Sequence, residues 1–343
     1  MVKARSALVL QGGGALGAFE LGVARRLYGD PDFAPDLIAG VSIGAITAAL
    51  LARPAKGLTP LQALERFWRA VAVSGWFLPP PLRSYASLLG NPAFYLPRYD
   101  FYDLARWTNL YDTAPLRATL AQLLDLDALA DTSAKPGLLV TATDIEAGEI
   151  EEFYSGETPL TLDHILASGS LPPSFPMTVI GGKSYWDGGL FDNTPLGAIL
   201  DRLDGADQRT IYVINLFPNK APVPTSFAQV AERTQNLQFC NKTAQDLKLL
   251  RRFDEVADLM EALEALAADH PVRQDAHFKT AYAAVKARDY VRVPHIVSIT
   301  RAEQVEDFGG SDFSPETIAR RAQEGEAEAN KVLGAFKPAS VAA

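Results

Sequence analysis

The sequence predicts an α/β fold in which short parallel strands run into helices through glycine-marked turns. Three stretches predict it. Residues 6–10, Ser-Ala-Leu-Val-Leu, have the apolar run of a buried strand; Gln11-Gly12-Gly13-Gly14-Ala15-Leu16-Gly17 follows, then an amphipathic helix to about Tyr28. Residues 37–52 repeat the pattern, a buried strand passing through Ser42 into a helix of Ala, Ile and Leu. Gly137–Asp144 is a further apolar strand. With 48% apolar and 21% charged residues, the 343-residue chain has the composition of a globular protein with a sizeable core.

The first stretch is an anion-binding arrangement, because loop amides and a helix N-terminus converge on one point. Two chemistries fit it. Gly12-x-Gly14-x-x-Gly17 satisfies the dinucleotide fingerprint, which also needs an acid ending the next strand to hold a ribose. That strand ends instead in Gly40-Val41-Ser42, and Asp36 lies at its opposite end. In the other reading the glycine loop is an oxyanion hole, its N–H groups facing a reacting carbonyl. Adjacent parallel strands would bring both loops to one sheet edge.

The second stretch holds Gly40-Val-Ser42-Ile-Gly44, the G-x-S-x-G pattern of a nucleophile elbow. A serine at the apex of so tight a turn adopts a sparsely populated backbone conformation. Side chains two residues to either side would collide with the strand and helix.

Residues 60–72 read as a helix with Leu61, Leu64, Phe67, Trp68 and Val71 on one face. The stretch 76–111 holds ten of the chain's 32 aromatic residues, among them Trp76, Phe77, Tyr85, Phe94, Tyr95 and Tyr111, and includes Pro79-Pro80-Pro81. It is either a lid or wall for an acyl chain or a loop packed on the core. Residues 113–130 read as one helix, and Glu149–Tyr154 as a strand pairing with Gly137–Asp144. Thr161–Ser170 is a short helix before the turn Leu171–Pro176. Gly181-Gly182 marks a hairpin leading through Tyr185-Trp186 to Asp187-Gly188-Gly189. Thr194 and Pro195 read as N-cap and first residue of a helix. Ile211–Phe217 is an apolar strand and Pro218–Pro224 a boundary. Helical periodicity dominates 226–268, one strand lies near His295–Ile299, and a polar helix spans about 315–335. Lys242, Lys248, Arg251 and Arg252 form a basic cluster read as a solvated helix face. The tail from Lys337 has no structural signal.

A serine hydroxyl needs a base within hydrogen-bond reach. Of the four histidines (His164, His270, His277 and His295), only His295 sits near a strand, and it leads into the strand rather than following it. His164 reads as a surface or satisfied side chain. Among Asp144, Asp163, Asp187 and Asp192, Asp187 is best placed, after a buried strand and beside two glycines. An ordinary Asp, of pKa ~3.9, is a weak base for a hydroxyl, and burial would raise it. Taken alone, Asp187 stays open between a base and a turn residue.

A net charge of -9 argues against a nucleic-acid partner and against strong capture by an anionic membrane. The single cysteine, Cys240, allows no internal disulfide and reads as a small buried or half-buried side chain. The run Ala7–Leu10 is too short for a signal-peptide core, and no stretch approaches a membrane span. The expected location is cytoplasmic. Oligomeric state has no signal.

Assembled, these stretches resemble the patatin-like phospholipases. The match runs through Gly12-Gly13-Gly14-x-x-Gly17, Gly40-x-Ser42-x-Gly44 and Asp187-Gly188-Gly189, in that order. It extends to Thr143-Asp144 with Gly148, to Ala167-Ser168 and Pro172-Pro173-x-Phe175-Pro176, and to Asn193-x-Pro195, covering about residues 6–217. The resemblance implies a three-layer α/β/α sandwich with a mainly parallel central sheet. It implies Ser42 as nucleophile, Asp187 as its base in a Ser–Asp dyad, and Gly12, Gly13 and Gly14 as oxyanion hole. Ester bonds of phospholipids or other acyl esters would be cleaved through an acyl-enzyme, with neither metal nor cofactor. The partner would be a lipid or acyl-ester substrate, with transient contact to a membrane surface. Residues 1–220 would form the catalytic domain and 221–343 a mostly helical extension packed on it. Many members carry Arg or Lys where this chain has Leu16, a departure that favours a neutral ester or lysolipid. The same dyad also suits acyl transfer to an alcohol, and the pocket alone would suit a non-hydrolytic lipid-binding protein.

Overall fold

The structure, a computed structural model, describes residues 6–76, 78–79, 86–100, 105–202, 210–240, 248, 255–256, 258–266, 270–286, 295–302 and 309–335. In chain order come β1 (Ser6–Leu10), α1 (Ala18–Tyr28), β2 (Leu37–Gly40), α2 (Ile43–Ala52), α3 (Pro60–Ala70), β3 (Leu96–Pro97) and β4 (Tyr111–Asp112). Next are α4 (Ala114–Leu123), α5 (Leu126–Ala130), β5 (Gly137–Asp144), β6 (Glu149–Tyr154), α6 (Leu162–Ser168), β7 (Thr178–Ile180), β8 (Lys183–Asp187) and α7 (Leu196–Leu200). The last are β9 (Thr210–Asn215), α8 (Phe227–Phe239), α9 (Ala276–Lys286), β10 (His295–Thr300) and α10 (Pro315–Ala335).

Eight strands form one mixed, mostly parallel sheet in the order β10-β9-β1-β2-β5-β8-β7, with β6 also paired to β5. The pairs β10/β9, β9/β1, β1/β2 and β2/β5 are parallel. Strands β6, β7 and β8 are antiparallel to their partners. Period-two alternation sends successive side chains to opposite faces. Leu8, Leu10, Ile38, Leu138 and Val140 enter the main core, against α1, α2 and α3. Ala7, Val9, Leu37, Ala39 and Leu139 enter a second core with Leu196 and Ile199 of α7. Helices thus cover both faces of an α/β/α sandwich, which is why the parallel strands read as unbroken apolar runs.

Helix α3 starts at a capping box, Thr59 with Gln62, and has Pro60 at its first position. It buries Leu64, Phe67 and Trp68, side chains worth about 1.5–3 kcal/mol each when withdrawn from water. The long α10 crosses α1 where both helices are smallest. A Cβ on Gly22 would overlap the Ala322 carbonyl, and one on Gly325 would overlap that of Phe19. Among the described residues, no helix is long and apolar enough to cross a membrane.

Three boundaries differ from the sequence reading. The helix expected over 113–130 breaks at Leu124, which turns extended and bridges to Pro54, while the Asp125 side chain caps α5 through the amides of Asp127 and Ala128. The strand expected over 211–217 ends at Asn215, because the amides of Leu216 and Phe217 donate to Oε1 of Gln11. Thr194 does not cap α7. Its hydroxyl accepts a hydrogen bond from Gln11, and the helix starts one residue later behind Pro195. Cys240 is buried, as expected. Phe77, Tyr85, Phe101 and Tyr102 of the aromatic stretch, Lys242, Arg251 and Arg252 of the basic cluster, and the tail from Lys337 lie outside the described residues.

One buried acid sits between α1 and α2. The Glu20 carboxyl is 1% exposed and lies near the Thr47 hydroxyl without a well-formed hydrogen bond. Burial raises its pKa to about 8. The folded state therefore holds this proton more tightly than the unfolded chain. The stability it contributes is complete below the unfolded value and is lost as pH rises toward 8. Glu20→Gln, which cannot ionise, should gain stability relative to wild type between pH 5 and pH 8 by up to a few kcal/mol, read from denaturant unfolding at each pH. A difference that stays constant across that range would contradict it.

Candidate active site

Strand β2 ends at Gly40, and the chain reverses at Ser42 with φ 57° and ψ -123° before α2 begins at Ile43. Ser42 is the one non-glycine residue with positive φ among the described residues, the strained conformation expected of an elbow. The flanking glycines make room for it. A Cβ on Gly40 would overlap the Gly44 carbonyl, and one on Gly44 would overlap that of Leu10. The Ser42 amide donates to Oγ of Ser168 at 3.0 Å, so the C-terminal end of α6 holds the turn.

Asp187 reaches the same place along the same strand edge. On β5, residues Gly137–Val140 pair with β2, up to Gly40 opposite Val140, and Ala142–Asp144 pair with β8, with Asp187 opposite Ala142. Strand β6 occupies the other edge of β5, so β2 and β8 lie end to end and converge from opposite directions. Thr143 Oγ1 donates to the Asp187 carbonyl at 2.9 Å, and the Asp187 amide donates to Ser170 O at 3.0 Å. The carboxylate accepts a hydrogen bond from the Gly189 amide at 2.8 Å and lies beside the Ser42 hydroxyl. Both neighbours favour the ionised form. Burial outweighs them at a residue 2% exposed and raises the pKa to about 7.

The glycine loop lies beside this pair. A Cβ on Gly12 would stand 3.0 Å from Cβ of Ser42. Residues Gly14–Gly17 form a 3-10 turn with Gly13 as its N-cap. The amides of Gly13 and Gly14 stand where such a turn has no internal acceptor, as does that of Ile43 at the head of α2. Two side chains absent from the sequence-based site hold the loop. Asn193 donates from Nδ2 to the Gly12 carbonyl at 3.0 Å and accepts the Gly12 amide on its own carbonyl at 3.3 Å. Gln11, 1% exposed, donates to Thr194 Oγ1 and Phe239 O while accepting the Leu216 and Phe217 amides.

Gly12, Gly13, Gly14, Ser42 and Asp187 all face one cavity of about 350 Å³. Its remaining wall is mostly apolar, with Phe94, Tyr95, Tyr111 and Phe175 in a continuous ring cluster, Tyr95 lying 4.9 Å from Tyr111 and 5.3 Å from Phe175. The aromatic stretch thus both packs on the core and contributes to the cavity wall. Phe94 and Tyr95 are buried in the core and line the cavity, whereas Trp76 and Tyr99 are exposed. Leu16 is buried in the main core, away from the cavity wall.

No histidine lines the cavity. His164 is buried, closes the Thr161 capping box and packs edge-on against Phe153. His295 pairs with Thr210, which in turn pairs with Ser6, so it stands at the opposite end of the sheet from Ser42. The dinucleotide reading lacks its acid: β2 ends in glycine, and Asp36 accepts the Ser6 amide at the far end. Among the described residues no group of three His, Cys, Asp or Glu is placed to hold a metal ion.

A family model described as Patatin-like phospholipase matches residues 8–200, more than half of the chain. No match is found among curated proteins. Among solved structures, VipD from Legionella pneumophila is similar at 14% identity and a TM-score of 0.40, over 97% of this chain and 67% of that one.

Asn193→Ala leaves the buried Gly12 carbonyl without its side-chain donor. The expected cost is about 1–3 kcal/mol in denaturant unfolding, and Asn193→Asp, which cannot donate there when ionised, should not restore it. Stability equal to wild type in both variants would contradict the clamp.

Proposed function

The chain belongs to the patatin-like phospholipase family, and from that premise we propose that it is a serine acyl hydrolase working through a Ser42–Asp187 dyad. Family membership implies hydrolysis of lipid acyl esters. The observation that best supports this assignment of roles is the Ser42 hydroxyl set beside a buried carboxylate, next to a glycine loop and facing a mostly apolar cavity.

In this reading the Asp187 carboxylate takes the hydroxyl proton as Ser42 Oγ attacks the ester carbonyl. The carbonyl π electrons move onto oxygen, and the amides of the glycine loop, with that of Ile43, meet the resulting oxyanion. Collapse of the tetrahedral intermediate breaks the bond to the alcohol, which leaves with the proton Asp187 had taken. Water then attacks the acyl-enzyme with Asp187 again as base, releasing the fatty acid and restoring the serine. A pKa near 7 suits both tasks, since the carboxyl must accept a proton and give it back at similar driving force. The aromatic and aliphatic wall would hold the acyl chain, which marks a lipid or other acyl ester as the substrate.

Because a base acts only when deprotonated, kcat/KM should rise with pH and level off with a midpoint near 7; a rate that does not fall between pH 7 and pH 5 would remove Asp187 as base. Ser42→Ala and Asp187→Asn should each lower kcat by about 10⁴-fold or more, with little further loss in the double variant, because the two act as a unit. Released fatty acid from p-nitrophenyl esters and phospholipids is the readout. Wild-type turnover in either single variant would overturn the assignment.

A further inference from the structure

The cavity has a wall that comes from far beyond the dyad in sequence. Gly309–Ser311 form a 3-10 turn that lies on the glycine loop, and a Cβ on Gly14 would stand 2.5 Å from the Gly310 carbonyl. Gly309, Gly310, Ser311 and Phe313 all face the cavity. The turn is built in place. Arg321 of α10, with none of its surface exposed, donates to the Gly309 carbonyl at 2.8 Å and to that of Asp312 at 3.3 Å. Ser87 Oγ donates to the Ser311 carbonyl, and the Val73 amide donates to that of Phe313 at 2.9 Å.

Phe313 is 3% exposed and packs on Phe94 at 5.5 Å, Tyr95 at 6.4 Å and Trp68 at 6.3 Å. Leu88 and Leu110 line the same cavity but are 39% and 49% exposed, which marks them as its mouth and Phe313 as part of its buried end. The rings around Phe313 are themselves part of the main core, so this stretch of the cavity wall is firmly packed.

We propose that Phe313, just after a turn held by Arg321, is the residue that limits acyl-chain length, so that the C-terminal segment sets the selectivity of a site whose reacting groups lie before residue 190. This rests on the acyl-hydrolase reading above. Shortening the side chain opens the buried end without touching Ser42, Asp187 or the glycine loop. A longer acyl group then gains apolar contact that the wild-type cavity denies it.

The test uses the full chain and p-nitrophenyl esters from acetate to decanoate, for wild type, Phe313→Leu and Phe313→Ala. Ser42 labelling by a fluorophosphonate and the melting temperature are measured for each protein. The decanoate-to-butyrate ratio of kcat/KM should rise by roughly tenfold or more in Phe313→Leu, the lower end of what one methylene is worth in an apolar pocket. It should rise further in Phe313→Ala. Should the alanine variant fail to fold, the leucine variant decides the matter alone. A folded leucine variant that labels and hydrolyses esters with an unchanged ratio overturns the role of Phe313 and leaves the hydrolase reading standing. A wild-type protein that neither labels nor turns over any ester removes the hydrolase reading, and this assignment falls with it.

Discussion

The site depends on two strands sharing one edge of β5. Strand β2 runs parallel to β5 and stops at Val140; β8 arrives antiparallel and meets the same edge from Ala142 onward. That edge sets how far apart the ends of β2 and β8 can lie, and Ser42 and Asp187 are carried on those ends. Backbone hydrogen bonds in the middle of the sheet, rather than loop conformation, thus fix the separation of hydroxyl and carboxylate. A slip of β8 by one residue would turn Asp187 to the opposite face of the sheet. The surrounding features serve this junction. Ser168 holds the elbow, Thr143 holds the Asp187 carbonyl, and Gly40 and Gly44 keep side chains out of the turn.

Polar side chains then fix what the sheet does not reach. Loop backbones have no ladder to satisfy them, and buried carbonyls without donors are costly. Asn193 and Gln11 supply those partners around the glycine loop, and Arg321 does so for the turn facing it. Asn193 reaches the loop from a distant segment, and Gln11 ties it to Leu216, Phe217 and Phe239, so the loop geometry is a property of the whole fold.

Much of this was legible in the residues. The triple glycine, the G-x-S-x-G turn and the Asp-Gly-Gly turn each impose a backbone requirement that few other sequences meet, and the unbroken apolar runs of β1 and β2 read as buried strands. The polar clamps were not legible. Asn193 before Thr-Pro reads as the start of a helix, and Gln11 reads as one more loop residue; only burial shows that their amides are spent on backbone. The break at Leu124 was hidden because both flanking segments have good helical periodicity, and the cap at Asp125 competes with continuation on nearly equal terms. Phe313 has no local signal either. Its place beside Phe94 and Tyr95 follows from α10 docking on α1, a contact between the two ends of the chain.

That docking has a consequence for how the protein comes into being. Helices α1 and α10 meet backbone to backbone at Gly22 and Gly325, so α10 has one close-fitting seat, on an element made well before it. Until it docks, the turn at Gly309–Ser311 lacks the hold of Arg321 and the apolar cavity lacks that side of its wall. A nascent chain therefore holds its serine and carboxylate long before it holds a closed cavity, and during that interval the exposed rings are a surface for chaperones to cover.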